Sequence, residues 1–308
     1  MPLTLPPLRL GQPRQEYGIV SPIEGARIPY ALVEGDRAGP CLLVTAGIHG
    51  SEYTSIEAAL RLGRRSAYGL AGSILVLPII NMGALRSRAI YVAPEDGRNL
   101  NRMFPGRPDG SFTERLAHWL VSEIYPQADA YLDLHGGDLS EALIPFSLFP
   151  RDSVASRELA TVFGLPVAVA AGGEGYSINA AGRLGKPSVL AEVGGNGVWT
   201  EAGVEQLLAG MERVLAHLGM IDTTPPAAGP VSVVTMWVPT AEEDGFWYPA
   251  KQPGETVQAG EPIGEIRTMF GHVIATITAP DTGTVLYTLS SLWVNQGEAL
   301  LGIGTTAE

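Results

Sequence analysis

Val44-Thr45-Ala46-Gly47-Ile48-His49-Gly50-Ser51-Glu52 runs from the end of an apolar strand through a glycine turn into a helix. It sets an imidazole and a carboxylate three residues apart where the strand stops. Outward from this stretch, between Cys41 and about Glu192, short β-rich apolar runs alternate with Gly- or Asn-rich turns and helical segments. Strands are expected at 41–45, 73–79, 130–134, 167–170 and 188–192, and helices near 53–65, 112–125, 153–163 and 203–218. That alternation is the signature of a sheet covered by helices. Most of the runs are apolar throughout, which suits strands buried on both faces.

An imidazole and a carboxylate so spaced can reach one metal ion. Catalytic zinc usually takes three protein ligands, His₂Glu among the common sets, and keeps one position open for water. A second histidine is therefore expected at another strand end, and Tyr131-Leu132-Asp133-Leu134-His135-Gly136-Gly137 supplies His135. Water on such a metal needs a base, and Val189-Leu190-Ala191-Glu192-Val193-Gly194-Gly195 places Glu192 at the end of a further apolar strand. In open α/β sheets such ends converge on one crevice. Each fragment alone arises often by chance, but their joint position on strand ends favours a metal site. His118 and His217 fall inside amphipathic helices and His272 in a β-rich region, so they read as structural or surface residues. The polar loop with Arg86-Ser87-Arg88 and then Pro94-Glu95-Asp96-Gly97-Arg98-Asn99-Leu100-Asn101-Arg102-Met103-Phe104-Pro105-Gly106 can be a plain solvated loop. Arginines clustered beside a metal site also suit an anionic substrate, because a guanidinium grips a carboxylate at two points.

The chain has 308 residues, 45% hydrophobic and 17% charged, which is enough for a real core and for two domains, and excludes disorder, collagen and coiled coil. Lys+Arg 20 against Asp+Glu 32 gives a formal charge of -12, so no broad footprint for phosphate backbones exists and nucleic acid is not an expected partner. The one cysteine, Cys41, lies in an apolar run as a core residue and can form no internal disulfide, which fits a reducing compartment. The opening stretch carries no secretion-signal pattern, and no run reaches the roughly 20 apolar residues of a membrane helix. A cytoplasmic protein with no membrane partner is the expectation.

Residues 1–222 read as the catalytic domain, 223–230 as a linker of Pro, Gly and small residues, and 231–308 as an all-β domain. Within the last, Val257-Gln258-Ala259-Gly260-Glu261-Pro262-Ile263-Gly264-Glu265-Ile266 lines up with Val294-Asn295-Gln296-Gly297-Glu298-Ala299-Leu300-Leu301-Gly302-Ile303. Asp244-Gly245 and Thr282-Gly283 open the two halves. This repeat resembles the biotinyl/lipoyl carrier domain, a barrel-sandwich hybrid. Carriers attach their cofactor to a lysine between the halves, but Ile266-Arg267-Thr268-Met269-Phe270-Gly271-His272 has none, so the fold is expected without the carrier function. Exposed strands of such a domain must be paired or covered, which makes it a candidate contact in a homo-oligomer.

The set GxHGxE, DGxNLNRxFPG, LDLHGG and AEVGG resembles the succinylglutamate desuccinylase/aspartoacylase family, itself related to the zinc carboxypeptidases, over roughly 18–217. The resemblance implies a mixed sheet flanked by helices, one zinc per chain on His49, Glu52 and His135, and Glu192 as the base. It implies that Asn101 and Arg102 hold the substrate α-carboxylate and that Arg88, with Arg86 close by, polarises the scissile carbonyl. A pocket tyrosine of some relatives has Tyr176 and Tyr248 as candidates. Bacterial members, diaminobutyrate deacetylase-like proteins among them, keep a β domain that can overhang the active-site mouth. The implied reaction is hydrolysis of an N-acyl amino acid. A metallocarboxypeptidase acting on short peptides and a non-catalytic metal- or ligand-binding protein are the alternatives. Asp138 and Glu141, in the loop after His135, either face a cationic group on the substrate or are solvated loop acids.

Overall fold

The computed structural model describes residues 12–306; the part of the opening stretch before residue 12, on which the expectation about a secretion signal falls, lies outside them. In chain order the first part holds β1 (Arg14–Val20), β2 (Ile28–Glu34), β3 (Arg37–Ala46), α1 (Tyr53–Gly63), β4 (Ala71–Leu77), α2 (Met82–Ser87) and α3 (Phe112–Trp119). It continues with β5 (Ala130–His135), β6 (Glu141–Leu143), β7 (Phe146–Pro150), α4 (Val154–Phe163), β8 (Val167–Ala171), α5 (Ser177–Arg183), β9 (Ser188–Glu192) and α6 (Glu201–His217). Among the described residues, no helix is long and apolar enough to cross a membrane.

The sheet is mixed, in the order β1-β2-β4-β3-β5-β9-β7-β8. Its centre is parallel, with β3 between β4 and β5 and β9 beside β5. Antiparallel pairs flank it, β2 against β4 on one side and β7 against β9 on the other. The period of two along a strand sends alternate residues to opposite faces. Leu42, Val44, Leu132 and Val189 join Ile56, Leu62, Phe163, Leu207 and Met211 of α1, α4 and α6 in one core. Leu43, Tyr131 and Leu190 join Leu116 and Ile178 of α3 and α5 in the other. By the same alternation Thr45, Asp133, His135 and Glu192 all belong to this second face.

Residues 223–230 carry neither helix nor strand. Beyond them come β10 (Ser232–Trp237), β11 (Gly245–Pro249), β12 (Thr256–Val257), β13 (Pro262–Arg267), β14 (Val273–Thr278), β15 (Gly283–Leu289), β16 (Trp293–Val294) and β17 (Leu301–Thr306). β10 lies parallel to β8 and antiparallel to β17, so the ladder of the helix-flanked sheet runs on through β17, β15 and β12. A second sheet has the order β14-β13-β11-β16. The two halves of the repeat interlock: β11 pairs its own β13 and the other half's β16, while β15 pairs its own β17 and the other half's β12. Even the turns repeat, for the Gln258 N–H donates to the Glu261 carboxylate and the Asn295 N–H to that of Glu298, each at 2.9 Å.

Candidate active site

His49 leaves β3 through a turn that needs glycine twice. Gly47 holds φ +62, and a Cβ on Gly50 would strike the backbone of Ala84 and Leu85 in α2. Glu52 stands at the N-cap of α1 without capping it, because its carboxylate faces the two imidazoles instead. Nδ1 of His49 lies 2.6 Å from Glu52 Oε1, and Nδ1 of His135 lies 3.1 Å from Oε2. The far nitrogens face oxygens behind them, His49 Nε2 hydrogen-bonded at 3.0 Å to Asn99 Oδ1 and His135 Nε2 in ion-pair contact at 3.1 Å with Asp133 Oδ2. Fixing the outer nitrogen turns the inner one toward a shared point, as in metal sites whose histidines are oriented from outside. Burial pulls the Glu52 carboxyl upward, yet His135 and His49 outweigh it and hold it at about 2.

This cluster fits a divalent cation. All three residues are buried, their ligand atoms lie within 4.8 Å of one another, and the N,N,O donor set matches a common zinc arrangement. Glu52 Oε2 is buried, and His135 Nδ1 at 3.1 Å does not meet it in hydrogen-bond geometry; a cation between the imidazoles would satisfy that oxygen.

Glu192 sits opposite His135 in the β5–β9 register. Burial raises its carboxyl well above the usual range; Glu52, Glu141 and Asp133 add to the rise and His135 opposes it. All of these side chains border or back onto a cavity of about 700 Å³. One wall holds His49, Glu52, His135, Glu192, Asn101 and Arg102, and the facing wall comes from the β domain with Met236, Tyr287, Leu289 and Trp293. Asn101 and Arg102 ride on a short helical turn, Leu100–Arg102, capped by Asn99, which accepts the Asn101 N–H at 2.8 Å. Asn101 Oδ1 accepts the Ser177 N–H at 2.9 Å, and the Arg102 guanidinium lies 4.7 Å over the Tyr176 ring.

Other expected residues fall elsewhere. Arg86 and Arg88 are exposed at the C-terminal end of α2, Arg88 as its left-handed cap at φ 52, and neither is on the cavity wall. Asp138 is sealed off, its carboxylate accepting the Tyr91 N–H at 2.8 Å and the Leu139 N–H at 2.6 Å. Glu141 does line the cavity and accepts the Tyr91 hydroxyl at 2.5 Å. Of the two candidate tyrosines, Tyr176 is on the wall, whereas Tyr248 packs under Arg267 at 4.7 Å, off the wall.

Sequence reading passed over Tyr91, Asn99, Asp133 and Tyr287. Asn99 and Asp133 lie inside the motifs that flag the site, two residues before Asn101 and His135, so strand and turn periodicity could have found them. Tyr91 and Tyr287 carry no such local signal.

Strand-end cluster, sheet and cavity together define an α/β protein with a candidate metal centre at the strand ends. The N-alpha-acetyl-L-2,4-diaminobutyric acid deacetylase of Halomonas elongata is 35% identical over 204 residues, a match spanning 63% of this chain and 59% of that protein's length. The product-bound structure of the ectoine utilization protein EutE (DoeB) from Ruegeria pomeroyi superposes with a TM-score of 0.86 at 26% identity, covering 98% of both chains. A succinylglutamate desuccinylase/aspartoacylase structure from Rhodobacter sphaeroides gives 0.84 at 28% identity, covering 98% of this chain and 99% of the other. The chain belongs to the succinylglutamate desuccinylase/aspartoacylase family, whose catalytic-domain model matches residues 38–218.

Proposed function

We propose that the protein is a zinc-dependent hydrolase that removes the acyl group from a small N-acyl amino acid. The observation that carries this is the buried His49–Glu52–His135 cluster opening, beside Glu192, onto one walled cavity. His49, Glu52 and His135 would hold a zinc ion, which when bound would supply the Lewis acidity that lowers the pKa of water and polarises a carbonyl. Asn101 and Arg102 bind the substrate carboxylate, the guanidinium pre-oriented by the Tyr176 ring. Glu192 takes a proton from the attacking water and returns it to the leaving amine; a carboxyl that burial raises above its usual range holds that proton more readily between the two steps. The amide and one water thus become a carboxylate and an ammonium. Arg102 is the wall's arginine, so polarisation by Arg88 does not enter this reading.

The β domain's wall also bears on the carboxypeptidase alternative. Tyr287, Leu289 and Trp293 close the side of the cavity facing the metal cluster, which favours a small acyl group over an extended peptide.

The test is metal content together with amine release from N-acetyl, N-succinyl and N-formyl amino acids and short peptides. About one zinc per chain and turnover of an acyl amino acid are expected, with Glu192→Gln reducing kcat about 10²–10⁴-fold. Preference for peptides, or a metal-loaded protein with no turnover, would overturn the proposal.

A further inference from the structure

Resting on the deacylase reading, we propose that Glu141, held by Tyr91, is a subsite for a primary ammonium, so that the substrates are N-acyl amino acids carrying a second, free amine. The first argument is the charge inventory of the cavity wall. Its carboxylates are Glu52, Glu192, Glu141 and Glu298. Glu52 faces the two imidazoles, Glu192 lies beside His135, and Glu298 is exposed and spent on the Asn295 N–H and amide nitrogen. Glu141 remains, and its side chain has the neutral Tyr91 hydroxyl as partner with no ion-pair contact to a Lys or Arg among the described residues. A carboxylate held out of water without a counter-charge is costly, and a cation entering the cavity removes that cost. Its titration agrees: burial, with Glu52 and Asp138 nearby, pushes the Glu141 carboxyl to about 7 against the lowering effects of Tyr91 and His49.

The second argument is rigidity. Tyr91 has φ +57, and the Val92 N–H donates to the Ile90 carbonyl at 2.7 Å across it, a three-residue turn of the rare positive-φ kind. Strain of this sort persists where surrounding structure imposes it and gathers at binding sites. Here Asp138 imposes it by accepting the Tyr91 N–H, so its carboxylate acts on the turn and not on substrate. The Tyr91 ring meets His49 edge-on, with centroids 5.7 Å apart, while its hydroxyl reaches Glu141. One side chain thereby fixes the distance from the metal cluster to the free carboxylate. Glu141 is fixed on its other side too, paired with Leu289 of β15 and accepting the Asn196 N–H at its carbonyl.

Geometry also selects the kind of cation. Tyr91 occupies Oε2, which leaves Oε1 as the open acceptor. A guanidinium binds best by forking onto both oxygens, whereas an ammonium is a point donor that one oxygen serves.

The experiment compares kcat/KM for Nα-acetyl-2,4-diaminobutyrate and Nα-acetylornithine with Nα-acetylnorvaline, using metal-loaded wild type, Glu141→Gln and Tyr91→Phe. Wild type is expected to favour the amine-bearing substrates about 10²-fold. In Glu141→Gln that ratio collapses toward one, and in Tyr91→Phe it falls about tenfold. Wild type preferring neutral or acidic substrates, or a ratio untouched by Glu141→Gln, overturns the subsite. Calorimetric binding of 2,4-diaminobutyrate against 2-aminobutyrate separates this from the reaction itself. A diamine preference that is lost in Glu141→Gln supports the subsite even if no amide is cleaved, and equal binding of the two rejects it. Near-native unfolding midpoints for both variants confirm that the comparison is between folded proteins.

Discussion

His135 works only if Asp133 stays where it is, and Asp133 is itself anchored. Thr45 donates its hydroxyl to Oδ1 at 2.7 Å, and the Ser177 hydroxyl donates to Oδ2. The backbone N–H of Ser177 also holds Asn101, so one residue at the start of α5 ties the orientation of a metal ligand to the substrate-carboxylate turn. Asp133→Asn is expected to weaken metal binding about 10–100-fold, and Ser177→Ala to weaken it less, measured by competition with a chromogenic chelator. Unchanged affinity in Asp133→Asn would show that His135 is oriented by something else. At this scale His49, Glu52, His135 and Glu192 were legible because a strand end followed by glycine limits where a side chain can point, and the structure brings the four together. Arg88 was placed by resemblance to the family's carbonyl-polarising arginine, on a loop whose course no motif fixes: the chain turns at Arg88 through left-handed backbone and leaves it in solvent. Tyr91 escaped notice for the same reason, since its direction depends on a carboxylate 47 residues away.

Elements were legible where burial wrote them. The expected 188–192 and 130–134 coincide with β9 and β5 to within a residue, because strands covered on both faces are unbroken apolar runs. β1, with the exposed sequence RQEYGIV, and the short α5, with SINAAGR, lack such a stripe and went unread. FSLFP of β7 carries no strand signal, because it ends in proline and its antiparallel partners on β9 lie 42–46 residues on. The expected helix 112–125 is helical throughout but changes winding, an α-helix to Trp119 and a π-type turn over Leu120–Ile124. The glycine pairs after His135 and Glu192 have a packing cause as well. A Cβ on Gly137 or Gly195 would collide with the Glu141 carbonyl, so both strand ends must be bare for the chain entering β6 to cross them. Gly195→Ala is therefore expected to cost about 1–3 kcal/mol, read from the urea midpoint, and to displace Glu141. Wild-type stability in that variant would mean that the crossing is looser than the structure has it.

At the scale of the whole molecule, the C-terminal repeat was readable as a fold, but its placement was not, because no local pattern says which edge a strand will seek. The structure answers with hydrogen bonds: β10 extends the helix-flanked sheet beyond β8, and β15 reaches back to pair β6. Side chains seal the junction, Phe146 and Val169 from one part packing with Val234 and Leu286 from the other. Tyr287, next to Leu286 on β15, packs against the same cluster and also lines the cavity, so the strand that closes the junction also builds the substrate wall. Two parts joined by a continuous ladder and a shared core should not melt separately, although a chain with a proline-rich link between dissimilar halves would ordinarily be expected to. Calorimetry of the metal-free protein should give one transition with matching calorimetric and van't Hoff enthalpies. Leu286→Ala, opening a void at a fully buried position, should lower the stability of the whole by about 2–5 kcal/mol while keeping that transition single. Two resolved transitions, with only the one belonging to the β domain moved by Leu286→Ala, would show that the ladder joins two independent folds and that the cavity's second wall can detach.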